Sequence, residues 1–86
     1  MIKLWQNSVV FEEILSEKVA RKAVNKSLNE FADYAAEREI VIQKQDDYVT
    51  SVSYDEAHQR TYVAFDVYYS SIGEVDIDVV YAEAIL

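Results

Sequence analysis

Thr61-Tyr62-Val63-Ala64-Phe65-Asp66-Val67-Tyr68-Tyr69-Ser70, continued after Ser71-Ile72-Gly73 by Glu74-Val75-Asp76-Ile77-Asp78-Val79-Val80-Tyr81-Ala82, is the stretch from which the fold is read. Thr61, Val63, Phe65, Val67 and Tyr69 alternate with Tyr62, Ala64, Asp66, Tyr68 and Ser70, the period of a strand with one buried face. Val75, Ile77, Val79 and Tyr81 alternate in the same way with Glu74, Asp76, Asp78, Val80 and Ala82. A hairpin closed by Ser71, Ile72 and Gly73, with Gly73 in the left-handed position, pairs Tyr69 with Val75, Val67 with Ile77, Phe65 with Val79 and Val63 with Tyr81. A two-residue loop would set Tyr69 against Asp76 and turn one apolar face to water. The favoured register also places Asp66 opposite Asp78 and Tyr68 opposite Asp76 on the outer face. Like charges so placed cost roughly 0.2–1 kcal/mol, which makes this face unusual enough to suggest a use.

Upstream, Ser16 is a helix N-cap with Glu17 at the positive end. Ala20, Val24, Leu28, Phe31 and Ala35, joined by Ala23 and Ala32, recur at three- and four-residue steps and predict a long amphipathic helix ending near 37–39. Lys18, Arg21, Lys22, Asn25, Lys26, Asn29 and Asp33 form its solvated face. Residues 39–44 and 48–54 read as strand, with Asp46 and Asp47 as a turn or bulge between them. The second half pairs Tyr54 with Thr61, Val52 with Val63 and Thr50 with Phe65, which leaves Val49 on the outer face. Ile2 and Leu4 begin a strand with a turn near Asn7 and Ser8, and Trp5 belongs at the edge of the core or in an interface. The expected architecture is α+β, two-layered, with one long helix on a mainly antiparallel three- to four-stranded sheet in the order β-α-β-β-β, as a single domain over 1–86.

The chain has 86 residues, no cysteine, one histidine, one glycine and a formal net charge of −8. Residues 1–44 are balanced, Lys3, Lys18, Arg21, Lys22, Lys26, Arg38 and Lys44 against Glu12, Glu13, Glu17, Glu30, Asp33, Glu37 and Glu39. Residues 45–86 set Arg60 alone against Asp46, Asp47, Asp55, Glu56, Asp66, Glu74, Asp76, Asp78 and Glu83. Such a field repels nucleic acid and anionic lipid and favours a basic protein surface. The start lacks a secretory pattern and no apolar run spans a membrane, so a cytoplasmic protein is expected.

Asp55-Glu56-Ala57-His58 spells a helicase tetrapeptide, but a chain with one glycine has no phosphate loop to go with it, and the match carries no nucleotide chemistry. Two-histidine metal sites are excluded within one chain. Asp66, Asp76 and Asp78 offer hard oxygen ligands of the kind calcium and magnesium take, yet a flat sheet face lacks the concavity that metal binding or acid–base catalysis needs. No catalytic residue, metal site or cofactor is therefore assigned, and a non-enzymatic protein is expected. The functional expectation is a protein-binding face made of Asp66, Asp76, Asp78, Glu74, Tyr62 and Tyr68 that engages a basic protein surface. In its sharper form the face mimics nucleic acid and inhibits a DNA- or RNA-handling enzyme. The chain is similar to small acidic inhibitors of bacterial defence enzymes in size and charge alone. The alternative is a self-associating homodimer that buries the tyrosine-rich outer face, Val49, Val80 and the tail Ala84-Ile85-Leu86.

Overall fold

The computed structural model describes residues 1–85. It has the order β1 (Lys3–Phe11), α1 (Glu17–Ala36), β2 (Ile40–Ile42), β3 (Val49–Asp55), β4 (Arg60–Ser71) and α2 (Ile77–Ile85). The architecture is α+β: a four-stranded antiparallel sheet with the helices on one face. β4 is the central strand, with β1 along one side and β2 and β3 end to end along the other.

Every alternate residue of β4 from Thr61 to Val67 is buried under α1. The helix begins as its sequence requires, with Ser16 Oγ accepting the Val19 N–H at 3.2 Å, and it buries Ala20, Val24, Leu28, Phe31, Ala32 and Ala35. Ala23 is exposed instead, at the rim of an apolar cavity. Thr61 is fully buried, and its hydroxyl donates to Glu13 C=O at 2.7 Å and accepts the Leu15 N–H at 3.0 Å, fastening the link between β1 and α1.

The expected hairpin partner of β4 is not a strand. Residues 77–85 form α2, which packs on α1. Both sides of β4 are already filled, by β1 and by β2 with β3, so residues 74–82 cannot pair with β4 as a hairpin would require. Their other periodicity decides the outcome: Ile77, Val80 and Tyr81, with Ala84 and Ile85, recur at helical steps. Ile77 and Val80 are buried, whereas Val79 is 53% exposed. Gly73 does adopt a left-handed φ of 78°, but in the lead into α2.

Two smaller expectations also change. β1 runs straight through Asn7 and Ser8, which pair with Phe65 and Ala64, and no turn interrupts it. In β3, Tyr54 faces Thr61 and Val52 faces Val63 as expected, but the register slips between Val49 and Ser51. Val49 rather than Thr50 therefore sits opposite Phe65, and both Tyr48 and Val49 are buried. α1 holds this bulge in place. Arg21 Nη1 donates to Asp47 Oδ2 at 2.6 Å and to Val49 C=O at 3.1 Å. Asn25 donates to Asp47 Oδ1 at 3.0 Å and accepts the Tyr48 N–H at 2.8 Å, while the Tyr48 hydroxyl donates to Asn29 at 2.9 Å. Part of the supposedly solvated helix face is thus a clamp.

Candidate functional site

With both helices on one side, the other side of the sheet is uncovered. Alternation along each strand places Leu4, Gln6, Ser8 and Val10 of β1 there, beside Tyr62, Ala64, Asp66, Tyr68 and Ser70 of β4. Leu4 lies across from Tyr68, Gln6 from Asp66, Ser8 from Ala64 and Val10 from Tyr62. On the far side Val41 lies across from Ser70, Ser51 from Ala64 and Ser53 from Tyr62. The face therefore has two apolar ends, Leu4 with Tyr68 and Val10 with Tyr62, around a middle of short polar side chains. Leu4, Val10, Val41 and Tyr68 are 47%, 44%, 56% and 40% exposed. A sheet face adapted only to water would carry polar residues at these positions. Tyrosine suits such a site because its ring packs while its hydroxyl stays wet.

The acidic residues do not gather on this face. Asp66 is there, accepting a 3.0 Å hydrogen bond from Gln6 Nε2, with Tyr62 and Tyr68 on the same side of β4. Glu74, Asp76 and Asp78 lie in α2 and its lead-in. Asp76 caps the helix: its carboxylate accepts the Asp78 N–H at 2.9 Å and its C=O the Val80 N–H at 3.2 Å. Asp78 accepts the indole N–H of Trp5 at 2.8 Å. That indole packs against Phe31, Phe65 and Tyr81, with ring centroids 5.8, 5.3 and 5.0 Å away. Asp78 thus satisfies a buried donor and stands in the first turn of α2, where the helix field favours a negative charge. The expected pairing of Asp66 with Asp78 and of Tyr68 with Asp76 is absent, and with it the row of carboxylates that mimicry of nucleic acid would use.

No family model, curated protein or solved structure matches the chain.

Several neighbouring features are structural. His58 Nδ1 donates to Asp55 Oδ2 at 2.8 Å at the β3–β4 turn, which accounts for two residues of the helicase-like tetrapeptide. Arg60 donates to Glu12 at 3.1 Å, and that contact, followed by one to Tyr62, raises its pKa. Val49 and Val80, expected at a self-association surface, are core residues; Leu86 lies outside the described residues. Among those residues no helix is long and apolar enough to cross a membrane, and no group of three or more His, Cys, Asp or Glu could hold a metal ion. Sequence reasoning missed Leu4 and Val10; the alternation of Ile40, Val41 and Ile42 does turn Val41 outward, as found, without joining it to the candidate face. Leu4 and Val10 follow once β1 is read as unbroken, since same-face residues then step by two through Asn7 and Ser8.

Proposed function

We propose that the chain is a non-enzymatic binding module whose uncovered sheet face docks a protein with a basic centre and apolar flanks. One observation carries this reading: a two-layer fold leaves Tyr68, Leu4, Val10 and Val41 exposed together on a single face. Isolated exposed apolar residues are ordinary, whereas a set aligned on one flat face is the form of an interface. Charge supplies the partner's sign. The molecule carries a net −8, and Asp66 is the one acidic side chain among the aligned outer-face residues of β1 and β4. A Lys or Arg on the partner could replace Gln6 as the donor to that carboxylate. Such a contact would give orientation and encounter rate more than raw affinity.

A photo-reactive amino acid at Tyr68 in the native host, compared with one at Lys22 on the solvated side of α1, tests the reading. The expected result is an adduct specific to position 68, formed with a protein whose contact surface is rich in Lys or Arg. Its yield should fall about tenfold on Asp66→Lys if that charge contact is worth about 1.4 kcal/mol. Equal labelling from both positions, or an adduct indifferent to Asp66→Lys, would defeat it.

A further inference from the structure

β1 is an edge strand, and its unpaired side is unprotected. Asp66 N–H donates to Tyr48 C=O at 3.0 Å and Tyr68 C=O accepts Gln43 N–H at 2.8 Å, so even-numbered residues of β4 turn their backbone toward the β2 and β3 side. Odd-numbered residues therefore face β1, where Val67 meets Trp5, Phe65 meets Asn7 and Val63 meets Val9. It follows that Leu4, Gln6, Ser8 and Val10 point both backbone groups away from the sheet. One of those groups has a local partner, the Ser8 N–H, which donates to Asn7 Oδ1 at 2.8 Å and can exchange that bond for a strand.

Edges of this kind are normally blunted by proline, a bulge, charge or a covering segment. The opposite edge is blunted: it is split between β2 and β3 and carries the slip between Val49 and Ser51. β1 has none of these devices. It pairs with β4 without a shift from Lys3 to Phe11, contains no proline, and has Lys3 at its end as its single charge.

We infer that β1 pairs antiparallel with β1 of a second copy, about a two-fold axis at Asn7. The strand is self-complementary about that residue, as an isologous contact demands. Leu4 then faces Val10 of the other copy and Gln6 faces Ser8, while Trp5 lies beside Val9 on the helix side. This register uses all four outward residues and forms about eight N–H···O bonds, two for each pair. Sliding the strands by two residues leaves Leu4 or Val10 unpaired. The helix layer fits the same symmetry. Within one chain α2 sits against Trp5, whereas Val9 and Phe11 line an apolar cavity of 310 Å³ between β1, α1 and α2. Antiparallel pairing brings the Trp5 end of one copy beside the cavity end of the other. The face proposed for a basic partner is not consumed; the two copies join it into one broader surface, and either interaction can exist without the other.

The wild-type chain contains no cysteine, so Asn7→Cys adds a single thiol at the axis. Directly opposed residues there lie about 4.5 Å apart between Cα atoms, within disulfide reach. Two Lys3→Cys thiols would be about 27 Å apart at roughly 3.3 Å per residue. Sedimentation equilibrium of the wild type should show a dimer that grows with concentration and strengthens with salt, because both copies are acidic. On mild oxidation Asn7→Cys should form a linked dimer at least about tenfold faster than Lys3→Cys. A wild type that stays monomeric overturns the inference. So does a dimer in which the two cysteine variants link at equal rates, since that dimer would use another surface.

Discussion

Asp78 shows how one side chain can look functional in a sequence and be structural in the fold. Its carboxylate accepts the indole N–H of Trp5, a ring only 6% exposed, and it occupies the first turn of α2. Removing the acceptor leaves that donor unpaired, at a cost of about 1–3 kcal/mol. Asp78→Ala is therefore expected to lower unfolding free energy by that amount in a urea titration followed by the fluorescence of the single tryptophan. Asp78→Asn keeps an oxygen acceptor and loses mainly the favourable charge at the helix end, about 0.3–1 kcal/mol. Equal losses in the two variants would show that charge, not the hydrogen bond, holds Trp5. Thr61 gives a second test, because its hydroxyl satisfies Glu13 C=O and Leu15 N–H together. Thr61→Val preserves shape and leaves both unpaired, so a loss of about 1–3 kcal/mol is expected from the same titration.

The clamp between α1 and the start of β3 predicts a pH dependence. Asp47 has its pKa lowered, first by the Asn25 amide, which burial opposes, and then by the Val49 N–H and the Arg21 guanidinium. A folded-state pKa below the unfolded value means that the ionised carboxylate stabilises the fold above the ordinary aspartate range. That contribution is lost as pH falls through the lowered value. Stability measured from pH 7 downward should therefore fall through an acid limb that Asp47→Asn makes shallower; an unchanged limb would remove Asp47 from the account. The same region marks what a sequence can and cannot reveal. The long helix was legible because Ser16 and the stripe from Ala20 to Ala35 agree with one another, and β4 because its five inward residues admit one period. The pairing of Tyr54 with Thr61 followed from the same alternation. The bulge at Thr50 was hidden, since it depends on Arg21 and Asn25 reaching across from α1. α2 was misread because Val75, Ile77, Val79 and Tyr81 satisfy a strand while Ile77, Val80, Tyr81, Ala84 and Ile85 satisfy a helix. Strand order settles that ambiguity, and strand order is not local. Of the candidate site, Asp66, Tyr62 and Tyr68 depended on β4 alone and lie on the outer face; Glu74, Asp76 and Asp78 depended on the hairpin and do not.

Charge is distributed over the molecule in a way that separates binding from folding. From Ser70 to Ile85 the chain holds Glu74, Asp76, Asp78 and Glu83 with no basic residue. Asp76 and Asp78 sit at the start of α2, where the helix field rewards them, but Glu83 is near its C-terminal end, where no basic residue offsets it. A negative charge there opposes the helix by about 0.3–1 kcal/mol at low ionic strength. Glu83→Gln should recover that amount in a urea titration at about 20 mM salt and little of it near 1 M, where the screening length falls to about 3 Å. An equal effect at both salt concentrations would point to packing rather than charge. Binding should respond in the other direction. If a basic partner docks on the open face, salt weakens that complex while it relieves repulsion within the acidic chain. Glu83→Gln then offers a control that firms α2 without touching Asp66 or Tyr68, so any change in partner capture must come from the long-range field alone.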